Sequence, residues 1–340
     1  MKLKLTALAL GLGLAFGAAP AFADGSNASI SQASSSNTLA LDQQGPSSIA
    51  LTQTGGDGNA IDARQNGQVR ASITQNGSTN SSSLNQSGNT NDVTVQQTGQ
   101  SQQSSVTQVN GSNQSVTVWQ ESGGNNVGNA FQADGTLSTT YLHQSGWGNS
   151  AYATQVRTNS TGIYVNQLGN NAVANITQAD SANSSISLNQ SYTGQNANLN
   201  QQNSSNVAMY VTQGNGDSNS AYSAQSNSSN STGYITQSGY GNNAVMRQDM
   251  VDASSASINQ DGSQNYGEIN QAHGSGNSAS LTQNNGGNNR GVINQDGYNH
   301  NASLLQSGWG NTAYLNQAGA GQVANVAQVG NNNNVNLVQH

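Results

Sequence analysis

From residue 27 onward the chain alternates small or apolar residues with polar ones. Runs of about five such residues each close on a glutamine and are separated by Gly, Asn, Ser and Asp. The closing glutamines fall at 32, 43, 53, 65, 75, 86, 97, 108, 120, 132, 144, 155, 167, 178, 190, 201, 213, 225, 237, 248, 260, 271, 283, 295, 306, 317, 328 and 339, which is 28 positions spaced 10 to 12 residues apart. Two residues before each stands Ile, Leu, Val, Ala or Met, with Ser223 the one polar exception. Four residues before, the side chain is often alanine, as at Ala71, Ala151, Ala244, Ala279, Ala302, Ala313 and Ala324. Strand side chains alternate with period two, so positions −4, −2 and 0 share one face. Each half-repeat therefore predicts a short strand with an inward small residue, an inward aliphatic and an inward glutamine. The absence of a 3.6-residue period and the density of Gly, Ser and Asn exclude helix.

Between Gln144 and Gln213 the spacing alternates 11 and 12, so the true unit is a pair of half-repeats, 23 residues long. One frame, Gln-x-Gly-x-Gly-Asn-x-Ala-x-x-x-Gln, returns intact at 144–155, 237–248 and 306–317. The repeat is most degenerate near Arg157 and at Met250-Val251-Asp252. Glycine often follows the glutamine by two residues (Gly55, Gly77, Gly88, Gly146, Gly169, Gly262, Gly308), marking turns that need positive φ. A strand-turn-strand unit cannot bury its inner face alone, and stacking at ~4.8 Å per coil does it. The pattern predicts an all-β, two-sided β-solenoid of about fourteen 22–23-residue repeats with amyloid-like cross-β stacking. An unpaired buried amide costs ~1–3 kcal/mol, and stacking on the identical residue one coil away removes that cost. The expected self-assembly ladder contains Gln144, Gln155, Gln237, Gln248, Gln306 and Gln317, with Asn149, Asn242 and Asn311 stacking in the same way across the turn. Gln32, Gln43, Gln328 and Gln339 are the expected stacking edges.

The beginning of the chain follows another rule. Lys2 and Lys4 precede an uncharged apolar run, Leu5 to Ala19, and Ala21-Phe22-Ala23 supplies small residues for cleavage before Asp24. Residues 1–23 read as a secretory signal peptide and 24–340 as the repeat domain, because the apolar run falls short of the ~20 residues that span a bilayer. No later stretch could cross a membrane as a helix. Without the signal the chain carries five arginines (Arg64, Arg70, Arg157, Arg247, Arg290) against fourteen acidic residues, a net charge of −9. Five scattered arginines are a poor basis for nucleic-acid binding, which needs clustered cations. There is no cysteine, which removes disulfide frameworks, thiolate metal sites and cysteine nucleophiles.

On these residues the sequence resembles the curlin repeat family, the subunits of bacterial curli fibres. The family pattern Ser-x5-Gln-x-Gly-x-Gly-Asn-x-Ala-x3-Gln is met at Ser138, Gln144, Gly146, Gly148, Asn149, Ala151 and Gln155, and again at Ser231, Gln237, Gly239, Gly241, Asn242, Ala244 and Gln248. At the third copy His300 replaces the leading serine. The resemblance implies a secreted subunit that polymerises into extracellular amyloid fibres on the cell surface, for adhesion and biofilm matrix. It also implies partners: other copies of itself, a nucleator subunit, an outer-membrane secretion channel and a periplasmic chaperone. This chain has far more repeats than familiar curli subunits, and they start directly after Asp24-Gly25-Ser26. Its last residues, Asn336 to His340, stay in register without Lys or Arg, which favours a major fibre subunit over a nucleator.

The remaining candidate chemistry is sparse. His143, His273, His300 and His340 lie at different repeat phases, as expected for surface or turn residues and not for a metal cluster. Asp57, Asp134, Asp180, Asp261 and Asp296 sit near turns without the nonapeptide spacing of calcium β-rolls, and read as solubilising gatekeepers. No arrangement suggests catalysis, and no cofactor or metal is expected. Trp147, Tyr240 and Trp309 share one phase at the turn apex, where packing between coils is the expected role. One rival reading rests on the outward residue before the glutamine, often Thr or Asn (Thr52, Thr74, Thr107, Thr177, Thr212, Thr236, Thr282, Asn259, Asn270, Asn294). A flat ladder of that kind could serve a monomeric adhesin or an ice- or carbohydrate-binding solenoid. A monomer needs caps over its open strand edges, and the repeats run from the start of the mature chain to its last residue, so edge-to-edge polymerisation is the favoured expectation.

Overall fold

The computed structural model describes residues 25–340 and the backbone of Leu5–Leu8, a strand paired antiparallel with Thr38–Leu41. The rest of residues 1–23, which the sequence reads as a signal peptide, lies outside the described residues, as does the cleavage point expected before Asp24. Among the described residues no helix is long and apolar enough to cross a membrane. The chain divides into two compact units, Met1–Asn170 and Asn171–His340. Each is a parallel β-solenoid, and together they hold about 14 turns.

In the first unit, alternate half-repeats pair with one another and consecutive ones do not. Thr139–Trp147 lies parallel to Ser115–Gly124 on one side and to Gly162–Gln167 on the other, with Gln144 opposite both Gln120 and Gln167. Val127–Ala133 and Ser150–Val156 form the second stack, with Gln132 opposite Gln155. Every coil thus gives one strand to a leading stack, which includes Gln144, and one to a trailing stack, which includes Gln155. The second unit repeats this plan. Its leading stack includes Ala208–Gly214, Thr232–Tyr240 and Ser255–Ser263, and its trailing stack includes Ser220–Ser226, Asn243–Asp252 and Tyr266–Ser275.

Burial alternates along the strands as the hydrophobic pattern demands. Leu51, Ile73 and Leu142 in the first unit, and Ile186, Leu199 and Ile235 in the second, are under 2% exposed. Burying an aliphatic of this size contributes ~1.5–3 kcal/mol, repeated at each coil. The small residue at −4 has a packing reason. A Cβ on Gly291 would stand 2.5 Å from Leu281 Cδ1 and 3.0 Å from Leu304 Cδ2, so the leucines of one stack fill the space that glycine leaves in the other.

The degenerate segments hold their register. Asp249 pairs with Ala272 and Val251 with Gly274, and Val251 is buried at 2% exposure where the preceding coil has the buried Ser228. This turn follows a rule that the sequence reading does not contain. Two residues in the left-handed region, three apart, each precede an inward hydroxyl: Asn227 and Asn230 (φ 49° and 50°) with Ser228 and Ser231 buried, and likewise Arg157 and Ser160 (φ 51° and 54°) with Thr158 and Thr161 buried.

Candidate functional site: amide ladders and coil edges

The inward glutamines form the longest continuous chemical feature of each unit. In the leading stack of unit one, Gln32, Gln53, Gln75, Gln97, Gln120 and Gln144 each donate Nε2 to Oε1 of the next glutamine, ending on Gln167, at 2.5–3.0 Å. Its trailing stack runs from Gln43 to Gln155 at 2.6–3.0 Å. In unit two the ladders run from Gln190 to Gln328 at 2.8–2.9 Å and from Gln178 to Gln339 at 2.7–3.0 Å. Every one of these bonds points the same way, with the nitrogen toward higher residue numbers. In most rungs the remaining amide proton reaches a backbone carbonyl of the opposite stack, as from Gln144 to Val127 O (3.0 Å), Gln237 to Ser220 O (2.9 Å) and Gln306 to Arg290 O (3.0 Å), while Gln155 donates to the Thr161 hydroxyl (3.1 Å). Buried amides are tolerated here because both halves of each are paired.

Gln144, Gln155, Gln237, Gln248, Gln306 and Gln317 all occupy these ladders and are at most 2% exposed. Asn149, Asn242 and Asn311 are buried too, and Asn311 Oδ1 accepts from Asn333 Nδ2 one coil away (3.0 Å), the amide-on-amide contact expected from the sequence, but the contacts all three share are to backbone. Asn149 N–H donates to Asn126 Oδ1 (2.9 Å) and Asn149 Nδ2 donates to Gly169 O (2.8 Å). Asn242 and Asn311 repeat both contacts, to Asn219 and Gly262 and to Asn289 and Gly330. Asparagine is one methylene shorter, so its amide stays at backbone level, where the turn leaves an N–H and a carbonyl without ladder partners. The glycine is equally constrained. Gly146 has φ 110°, and a Cβ there would lie 2.1 Å from Gly169 O.

The coil edges differ from the interior. Asn27–Gln32 and Asn334–Gln339 keep their inward side chains only half-buried, including Ile30 and Leu337. Gln32 and Gln43 donate to the next coil, while Gln43 Oε1 has no partner among the described residues. Gln328 and Gln339 accept from Gln306 and Gln317 and donate only to the carbonyls of Thr312 and Val323. One end therefore offers amide acceptors and the other amide donors.

Other candidates resolve individually. The Trp147 ring lies against Gly124 and the Trp309 ring against Gly287, so closely that a Cβ on either glycine would stand 2.6 or 2.8 Å from the indole. His143 pairs with Glu121 (3.1 Å) and His273 with Asp296 (3.3 Å), each across adjacent coils. His300 is buried in a turn, its backbone N–H donating to Asn277 Oδ1 (3.0 Å) and its ring nitrogen to Asp296 O (3.2 Å). Among the described residues no group of three or more His, Asp or Glu is placed to hold a metal ion. The ten outward Thr and Asn residues do not form one ladder, because consecutive half-repeats belong to opposite stacks. Thr52 and Thr74 lie on the leading face of unit one, and Thr107 on its trailing face. In unit two, Thr212, Thr236, Asn259 and Thr282 are contiguous on the leading face, with Thr177, Asn270 and Asn294 on the trailing one.

A charged band that sequence reasoning missed crosses the trailing face of unit two. Arg247 Nη1 donates to Glu268 Oε1 (2.9 Å), Tyr266 donates its hydroxyl to Glu268 Oε2 (2.7 Å), and Arg290 lies over Tyr266, 4.5 Å from its ring centroid. Burial raises the Tyr266 hydroxyl pKa, assisted by Glu268. Burial also pushes the Glu268 carboxyl up, but Asn270, Tyr266 and Arg247 together outweigh it and hold the group below its ordinary value. Arg247, Glu268 and Arg290 come from three successive coils at different outward positions, so no linear motif marks them.

The family model described as Curlin associated repeat matches residues 70–99, 252–284 and 286–319, each segment covering complete glutamine rungs. No curated protein matches the chain.

Proposed function

We propose that this chain, whose three Curlin associated repeats support placement in the curlin repeat family, is a structural subunit that polymerises end to end into extracellular, curli-like amyloid fibres. The observation that carries the reading is the single direction of the amide ladders. With residues 1–23 removed, which frees the Thr38–Leu41 edge from Leu5–Leu8, a second copy stacked head to tail sets Gln328 against its Gln32 and Gln339 against its Gln43, donor to acceptor, and brings Val326 and Leu337 onto Ile30 and Leu41. Head-to-head contact would oppose acceptors to acceptors, and tail-to-tail donors to donors. Burying half-exposed aliphatics on both stacks adds ~25 cal/mol per Å² of apolar area. By family, the fibre contributes to adhesion and biofilm matrix, with a nucleator, a secretion channel and a chaperone as partners. The chemistry is that of a polymer with no active site.

Cysteine cross-linking tests this directly, since the chain has no cysteine of its own. In the head-to-tail register Val338 faces Asp42 of the next copy at the ~4.8 Å spacing of adjacent strands, within disulfide range. Val338→Cys protein mixed with Asp42→Cys protein should elongate thioflavin-positive seeds and give cross-linked heterodimers under oxidation. Val338→Cys alone should give fibres without cross-links. A stable β-rich monomer, or equal cross-linking of Val338→Cys with itself, would refute the reading.

A further inference from the structure

The outward surfaces of the two units are not alike in charge. The leading face of unit one carries Arg70, Asp92 and His143, and its trailing face carries Asp42, Asp62 and Arg64. The trailing face of unit two carries Arg247, Glu268 and Arg290. The leading face of unit two has no such group before the ladder glutamine on six consecutive strands, from Ser185–Gln190 to Asn301–Ser307. Its middle outward row reads Ser187, Tyr210, Tyr234, Ser257, Ser280 and Ser303, and the row beside it reads Asn189, Thr212, Thr236, Asn259, Thr282 and Leu305. One carboxylate, Asp261, stands at the rim after its glutamine, bonded to Ser238.

Two rings rise from this face. Tyr210 and Tyr234 stack with centroids 5.1 Å apart and planes 11° from parallel, and they are 42% and 47% exposed. Their outer ring faces look along the stack onto Ser187 and Ser257, side chains too short to cover an aromatic ring. The tyrosines of the trailing face differ, because Arg247 lies over Tyr222 (5.3 Å) and Arg290 over Tyr266 and Tyr314 (4.5 and 5.7 Å).

We infer that the leading face of unit two binds an uncharged polysaccharide, with pyranose rings stacked on the outer faces of the Tyr210–Tyr234 pair and sugar hydroxyls bonded to the Ser, Thr and Asn rows. Hydroxyl and amide side chains both donate and accept, which matches a polyol and gives an ionic group no counter-charge. Aromatic faces take the apolar C–H face of a sugar ring. A polyanion would be repelled by residues 24–340, whose five arginines and fourteen acidic residues give a net charge of −9. A second copy of the same face is a poorer occupant, since the protruding tyrosines would meet first and hold the shorter hydroxyl rows apart. The inference stands independently of the fibre reading and applies to free chain and polymer alike.

The test is retention of freshly desalted chain on an insoluble, uncharged β-1,4-glucan and its mobility in gels containing dextran or alginate, with seeded elongation measured on the same preparations. The parent should be retained by the uncharged glucans and pass alginate unretarded. Tyr210→Ala/Tyr234→Ala should lose at least about tenfold in retention, and Thr236→Lys should lose a similar amount. Tyr234→Phe, which keeps the ring, and Tyr222→Ala/Tyr314→Ala, on the other face, should bind as the parent does. All variants should elongate seeds normally, so loss of elongation alone counts against the fibre reading and not against this site. No retention of the parent, equal retention of both double variants, stronger retardation by alginate, or a Tyr210→Ala/Tyr234→Ala defect confined to fibre bundling would each overturn the inference.

Discussion

Gln306 donates its Nε2 to Oε1 of Gln328 at 2.8 Å, with both side chains at most 3% exposed. The same Gln306 accepts from Gln283 at 2.8 Å. Gln306→Ala therefore orphans a donor below and an acceptor above, each costing ~1–3 kcal/mol. The expected result is a lower urea midpoint and slower seeded elongation, and unchanged elongation kinetics would contradict the ladder argument. Gln306→Glu separates the two directions: a carboxylate still accepts from Gln283 but cannot donate to Gln328, so the variant should remain destabilised at neutral pH.

Glycine substitutions separate backbone strain from steric closeness. Gly146 and Gly321 both have positive φ (110° and 73°), but a Cβ on Gly146 would meet the Gly169 carbonyl, while nothing lies within 4 Å of one on Gly321. Gly321→Ala should cost ~1–2 kcal/mol, the left-handed penalty alone. Gly146→Ala should cost clearly more, because backbone cannot move aside without breaking neighbouring rungs. Chemical denaturation of the two variants in parallel gives the comparison.

Stabilising changes follow from the same turns. Met250 and Ala253 hold φ 54° and 48° at positions where the preceding coil has Asn227 and Asn230. Asparagine tolerates this region better than either, so Met250→Asn and Ala253→Asn should each raise stability by up to ~1 kcal/mol. Thermal unfolding would register the gain, and a loss would show that the Met250 side chain packs more than its 52% exposure suggests.

The Glu268 band predicts a pH dependence of known sign. Its folded pKa is depressed, so its contribution to stability is complete above the unfolded value of ~4.3 and is lost as pH falls through the lower folded value. Glu268→Gln should therefore be less stable than the parent at neutral pH, with the gap closing in acid. Melting temperatures of the pair across that range would check it, and a gap that widened in acid would contradict the assignment.

The alternation of aliphatic and polar residues and the even glutamine spacing determined strand, turn and stacking, because a period of two admits one inward face and a lone repeat cannot bury it. Gln144, Gln237 and Gln306 were legible as ladder residues on that ground alone. Which coil neighbours which was not. Residues one half-repeat apart, such as Thr177 and Asn189, lie on opposite stacks, so the outward Thr and Asn positions that look continuous along the chain are divided between two faces. Asn149 looked like a second amide rung, and the turn decided otherwise, since its short side chain meets backbone first. The common direction of the amides, the Tyr210–Tyr234 stack and the Arg247–Glu268–Arg290 band likewise appear only when coils 22 to 24 residues apart are in contact. Periodicity carries which way a side chain faces, and only the stacked structure carries what it meets there.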